Sequence, residues 1–217
     1  SEISASIHAV TLPGALDAWD ALLKAHGRFG LDRNLQTAIK YAENGFPVAP
    51  RVAWDWSRYV DKLKLSPGAT KHYLFNGKPP REGDVIRFPA LAQTLKTIAA
   101  QGARAFYEGE IAEDMAKTLG ERGSFLTAED FANHRGDQVT PISTNYRGLD
   151  LIEIPPNGQG IVALVIVTIL QNFDIKSLDP FGYERLHLVR EASALAYAMA
   201  ATPLAPTAPL TMRAHDP

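Results

Sequence analysis

Along the first 135 residues apolar positions recur at helical spacing, and Gly and Pro divide them into separate runs. After Pro13, whose missing N–H is tolerated in a first helical turn, Ala15, Leu16, Trp19, Leu22 and Leu23 fall on one face. Asp17, Asp20 and Lys24 lie opposite, and Gly27 supplies the stop. Leu35, Ala38, Ile39 and Ala42 repeat the pattern and close at Gly45, followed by Pro47. The spacing of Val52, Trp56, Tyr59, Val60 and Leu63 predicts a third helix. Residues 66–83 (SPGATKHYLFNGKPPREG) are rich in turn formers, with Asn76-Gly77 as a tight-turn dipeptide, and read as an exposed excursion. Helices resume over 89–101, with Leu91, Leu95, Ile98 and Ala99 aligned, and over 110–121. Thr127 and Asp130 then have the S/T-x-x-D/E form of a capping box.

Past His134 the period changes. Residues 138–146 and LDLIEI (149–154) read as strands, and the second switches phase at Leu151-Ile152, so that both its faces are apolar, the pattern of a strand covered on both sides. Residues 161–173 fit strand or helix by periodicity, and their length favours helix. A last helix runs from about Gly182 to Met199. The 16 residues after Ala201 contain four prolines and few large side chains, so regular structure is not expected there. The expected class is therefore α+β and predominantly helical, with one body over residues 1–201 and a Pro-rich tail over 202–217.

The chain is 217 residues long, 46% apolar and 21% charged, which is ordinary globular composition. With 22 Lys and Arg against 24 Asp and Glu there is no overall basic excess for a phosphate backbone to attract, and nucleic acid is not expected as a partner. The absence of Cys excludes disulfides and thiolate chemistry and leaves the compartment open. The first residues, SEISASIHAV, lack the basic and apolar regions of a signal peptide and begin without Met, so the chain reads as processed or cut from a longer one. Its most apolar run, Ile161 to Leu170, would span only about 15 Å as a helix against a hydrocarbon core of about 30 Å, and reads as buried core, not a membrane span.

Gly158-Gln159-Gly160 followed by Ile161, Val162 and Ala163 fits G-x-G-x-x-A, but Pro155-Pro156 separates it from the strand and no acidic strand end follows about 20 residues on. The reading is a glycine turn that lets a buried helix approach its strand. His8, His26, His72, His134, His187 and His215 lack metal-binding spacing, and no nucleophile elbow or P-loop is present, so neither a metal nor a cofactor is expected. Glu110, Glu113 and Asp114 open an amphipathic helix, where negative charge suits the dipole. Trp19 and Trp56 are assigned to packing and Trp54 to a rim.

The order of AVTLPGALDAWDALLKAHGRF (9–29), AIKYAENGFPVAPRV (38–52), FYEGEIAEDM (106–115), LTAEDFANHR (126–135), YRGLDLIEIPPNGQG (146–160) and ILQNFDI (169–175) resembles the later part of the large subunit of gamma-glutamyltransferases, also called gamma-glutamyltranspeptidases. The resemblance implies a partial N-terminal nucleophile hydrolase fold, a four-layer αββα sandwich. It also implies a self-cleaving precursor whose small subunit begins with a threonine that attacks a gamma-glutamyl amide, its own α-amino group acting as base.

Two features of that family are missing. Its substrate-gripping arginine would lie upstream of Ser1, and none of Thr202, Thr207 or Thr211 sits in the Thr-Thr context of its nucleophile. No catalytic residue is therefore assigned within the chain, and Asn157, Gly158 and Gly160 stand as candidates for substrate contact. The whole enzyme is expected to hydrolyse or transfer gamma-glutamyl groups from glutathione, poly-gamma-glutamate or acyl amides. The partner of this chain is the small subunit or a second copy, and the tail is expected to be mobile without one. The family resemblance favours a periplasmic or extracellular site over a cytoplasmic one. The rival reading is a truncated, non-enzymatic interaction module.

Overall fold

The computed structural model describes residues 7–156 and 158–201. The Pro-rich tail and the candidate Asn157 lie outside the described residues. By its contacts the chain forms two compact units, one ending at Gly136 and the other beginning at Asp137.

The first unit is helical, as its periodicity predicts: α1 (Ala15–His26), α2 (Leu31–Asn34), α3 (Gln36–Asn44), α4 (Pro50–Arg58), α5 (Val60–Lys64), α6 (Pro67–Tyr73), α7 (Pro89–Gln101), α8 (Arg104–Tyr107), α9 (Glu110–Gly120) and α10 (Ala128–Asn133). Strands β1 (Phe46–Pro47) and β2 (Val85–Ile86) form a short antiparallel ladder with Phe46 opposite Ile86. Gly45 is required where α3 meets that ladder: its φ is 93°, and a Cβ there would stand 2.9 Å from the Ile86 carbonyl oxygen. The core joins Leu16 of α1, Leu31 and Leu35 around α2, Ile39 of α3, Ile98 of α7 and Tyr107 of α8.

Tyr107 closes this unit. Its side chain is fully buried; its hydroxyl donates to the Pro13 carbonyl at 2.7 Å and accepts from the Asp17 N–H at 3.1 Å. Burial raises its pKa above the ordinary tyrosine value. Arg104, one turn earlier, donates to the carbonyls of Ala132 and His134, while the Asp17 carboxylate accepts from the Gly136 N–H at 2.6 Å. His134 packs on the Tyr107 ring, its Nε2 buried without a hydrogen-bond partner. The capping box at Thr127 forms in full, the Asp130 carboxylate receiving the Thr127 N–H at 2.8 Å.

Three local expectations change. The excursion at 66–83 contains α6, because the Ser66 hydroxyl caps the Ala69 N–H and Pro67 supplies a preset first turn. The third helix breaks at Tyr59 (φ −104°, ψ 9°) into α4 and α5. Trp56 lies in an aromatic cluster with Tyr73, Phe75 and Phe88, and its indole N–H donates to the Tyr73 carbonyl. Trp19, expected in the core, is 53% exposed, since α1 buries only Leu16 fully.

The second unit holds an antiparallel ribbon, β3 (Ile142–Tyr146) and β4 (Leu149–Glu153), then α11 (Gly160–Leu170) and α12 (Tyr183–Ala201). One ribbon face lies on α11: Ile142 joins Ile161, Val162 and Ala196, and Tyr146 joins Leu170, Ile175 and Ala192. The Thr144 and Thr168 hydroxyls meet at 3.2 Å. The other face, which the phase switch at Leu151-Ile152 makes apolar, is uncovered among the described residues, with Ile152 62% and Ile154 61% exposed. No helix of the described residues is long and apolar enough to cross a membrane.

Candidate functional site

The segment between β4 and α11 carries the residues singled out for substrate contact. Period-2 alternation in β4 puts Leu149, Leu151 and Glu153 on the face toward α11, and Pro155-Pro156 then fixes the backbone as it leaves the strand. Gln159 precedes α11 without a side-chain cap, and its carbonyl accepts from the Val162 N–H at 2.9 Å.

The two described glycines differ in kind. A Cβ on Gly160 would stand 2.8 Å from both Cβ and Oε2 of Glu153, so only glycine lets the helix start this close to the strand. On Gly158 a Cβ would meet only Ile154 Cδ1, at 3.8 Å, an ordinary contact. The reading of a glycine turn that brings helix to strand thus holds at Gly160. The sheet beside it is a two-stranded antiparallel ribbon, not the parallel sheet of a dinucleotide fold.

A half-open cleft of about 360 Å³ lies over this turn, within the size range of small-molecule sites. Pro156, Gly158 and Gln159 form one side, Ile161 and Val162 the floor, and Tyr197 and Met199 of α12 the far wall. The first N–H groups of α11 give the floor a partial positive charge, which the Glu153 carboxylate at Gly160 counterbalances. The described lining is mainly apolar, with Gln159 and Tyr197 the polar residues in it. Among the described lining residues none is a Ser, Thr or Lys, so the cleft supplies no nucleophile.

The other titratable candidates stay apart. Glu110, Glu113 and Asp114 are exposed on the first turns of α9. His187 stacks on Tyr183 and His8 on Phe125, and no group of three metal-ligating side chains occurs among the described residues. Glu153 was missed in the sequence, although a carboxylate on the otherwise apolar, helix-facing side of β4 was a readable sign.

The sequence pattern of the family described as gamma-glutamyltranspeptidase matches residues 1–212. The chain belongs to that family. A similar curated relative is the glutathione hydrolase-like YwrD proenzyme of Bacillus subtilis (strain 168), 37% identical over 184 residues, which are 85% of this chain and 35% of that protein. Among solved structures, the gamma-glutamyltranspeptidase of Helicobacter pylori superposes with a TM-score of 0.85 at 28% identity, covering 93% of this chain and 58% of the other. A cephalosporin acylase from Bacillus halodurans does so with a TM-score of 0.79 at 38% identity, covering 87% and 36%. The expected fold follows: this chain is a mainly helical portion of the N-terminal nucleophile hydrolase fold. It spans about a third of the length of the curated relatives it matches.

Proposed function

We propose that the chain is the later part of the large subunit of an enzyme that cleaves or transfers gamma-glutamyl groups. It supplies scaffold and one wall of the site, and an N-terminal threonine on a small subunit supplies the attack. The observation that carries this reading is the family match across residues 1–212 in a chain whose cleft has no nucleophile among its described lining residues. Residues 1–201 are the working fragment and 202–217 a tail outside it. Asn157, Gly158 and Gly160 are the proposed substrate-side contacts, with the cleft over α11 taking the non-glutamyl part of an amide.

The chemistry divides accordingly. The threonine hydroxyl would add to the amide carbonyl, its proton passing to the α-amino group and then to the leaving amine, and water or an amino acceptor would resolve the acyl-enzyme. The cleft would contribute only position, which is where proximity acts. Glutathione hydrolase and acylase activities appear in the names of relatives, and a gamma-glutamyl amide is the substrate class adopted for this protein.

The test is release of p-nitroaniline from a gamma-glutamyl anilide. The 217-residue chain alone is expected to show no turnover. The same chain expressed with its downstream reading frame is expected to process itself and to turn the substrate over. Turnover by the isolated chain, abolished by a substitution within it, would falsify this division of labour.

A further inference from the structure

We infer that the α4–α6 segment is a docking surface for an anionic lipid bilayer. Charge is unevenly distributed along the chain: five of its 22 Lys and Arg, but only Asp55 and Asp61 of its 24 Asp and Glu, lie between Pro50 and Tyr73, the span of α4 to α6. The chain as a whole is slightly acidic, with a net charge of −2. The segment is therefore a basic stretch in an acidic chain, and a negative surface would attract it more than the rest of the chain.

The cations are exposed and carry apolar groups between them. Arg51, Trp54 and Arg58 follow i, i+3, i+7 spacing on α4, and the two guanidinium groups lie 4.8 and 4.7 Å from the Trp54 ring, which is half exposed. Asp55 is occupied by Arg51 at 2.8 Å, which leaves Arg58 to solvent on the same helix. On α5 Lys62 and Lys64 are exposed beside Leu65, whose side chain is 82% exposed, and Lys71 follows on α6. The three short helices are braced, α4 to the end of α6 by the Trp56 indole on the Tyr73 carbonyl and α5 to α6 by the Thr70 hydroxyl on the Leu63 carbonyl.

Exposed Trp and Leu interleaved with Lys and Arg is the composition of an interfacial helix, whose rings and aliphatic groups enter the headgroup boundary while cations meet phosphate. An acidic polymer would use the cations but give Leu65 and Trp54 no apolar contact. A protein interface would disfavour the lysines, which are depleted from interface cores.

The test uses the whole 217-residue chain and co-sedimentation with vesicles of phosphatidylcholine, with or without phosphatidylglycerol. Binding is expected to be about tenfold tighter to the anionic vesicles and to fall steeply as salt rises from about 50 to about 500 mM. R58Q/K64Q is expected to lose about thirtyfold in affinity. W54A should weaken binding at high salt as well, and the equal charge loss K24Q/K40Q on α1 and α3 should change little. Circular dichroism and near-UV spectra show whether each variant is folded. Equal partition to both vesicle types, or equal losses in the two charge-paired variants, would overturn the inference. Retention on immobilised polyglutamate without vesicle binding would overturn it in favour of an acidic polymer.

Discussion

Both units leave apolar side chains in solvent, Leu65 and Phe125 in the first and Ile152 and Leu195 in the second, but the unit ending at Gly136 binds its own ends together around one core, whereas the unit beginning at Asp137 does not. In the first, α1 is tied by Tyr107 and by the Asp17 contact to residues 90 and 119 positions away, and a core from five helices surrounds the tie. In the second, the described core consists of two small clusters around α11, while Ile152 and Ile154 on the ribbon and Leu195 and Tyr197 on α12 stay more than half exposed. The first unit is closed by long-range ties around one core, while the ribbon face of the second is left open among the described residues. The family match makes sense of the contrast, since two thirds of the relatives' length lies outside this chain.

Removing the tie is the strongest way to break that contrast. Tyr107→Ala empties a fully buried aromatic site and strands the Pro13 carbonyl, at a cost of about 3 to 5 kcal/mol. Tyr107→Phe keeps the ring and is expected to cost about 1 kcal/mol. Urea unfolding followed by near-UV circular dichroism reads both. A loss below about 1 kcal/mol in the alanine variant would show that the first unit does not depend on this closure.

In the second unit Gly160→Ala attacks the approach of α11 to β4. The added Cβ must push the Glu153 side chain away, and overpacking of this kind costs about 1 to 3 kcal/mol. Gly158→Ala has room and should cost less than about 0.5 kcal/mol. If the two variants unfold alike, the steric account of Gly160 fails. In the full enzyme the first should also alter KM more than the second, because it moves the floor of the cleft.

The helices legible in the sequence were α1, α3, α7, α9 and α12 from apolar spacing, α11 from the length of its apolar run, and α10 from its capping box. What stayed hidden was tertiary. Nothing near Tyr107 in sequence announces that its hydroxyl meets Pro13, 94 residues away. The helix α6 was concealed by Pro67 and Gly68, read as turn formers when Ser66-Pro67 was a helix start. Trp19 satisfies the apolar period of α1 yet stays exposed, because periodicity marks a face without saying how much of it is covered. The cleft was half legible: the glycines were found by motif, but its far wall comes from Tyr197 and Met199, nearly 40 residues later.

The open ribbon face supplies a gentler test. The chain should self-associate, and in sedimentation velocity across a hundredfold concentration range its average mass should rise above 23.7 kDa. Ile152→Ser with Ile154→Ser should weaken that association about tenfold with little loss of stability, since both side chains are already exposed. A single species near 23.7 kDa throughout would mean that the second unit needs no cover, and the contrast between the units would lose its meaning.

The smallest expected effect belongs to the capping box of α10, and its sign is set by protonation. Hydrogen bonds from the Thr127 N–H and hydroxyl hold the Asp130 carboxyl below its ordinary pKa. The folded pKa lies below the unfolded one, so the stabilisation is fully present above the unfolded value, near 4, and is lost as pH falls through the folded value. The stability difference between the wild-type chain and Asp130→Asn should therefore be constant from neutral pH down to about pH 5 and shrink below that. Because the group is exposed, the difference should be small and should narrow with salt. It should also be confined to the first unit, where Ala132 of α10 and His134 just after it present their carbonyls to Arg104. Amide exchange at pH 6 would resolve this: faster exchange in α10 and at Gly136, with β3 and β4 unchanged, is the expected pattern. An Asp130→Asn variant that loosened the ribbon equally would show that the two units unfold as one and that their difference is only one of exposed surface.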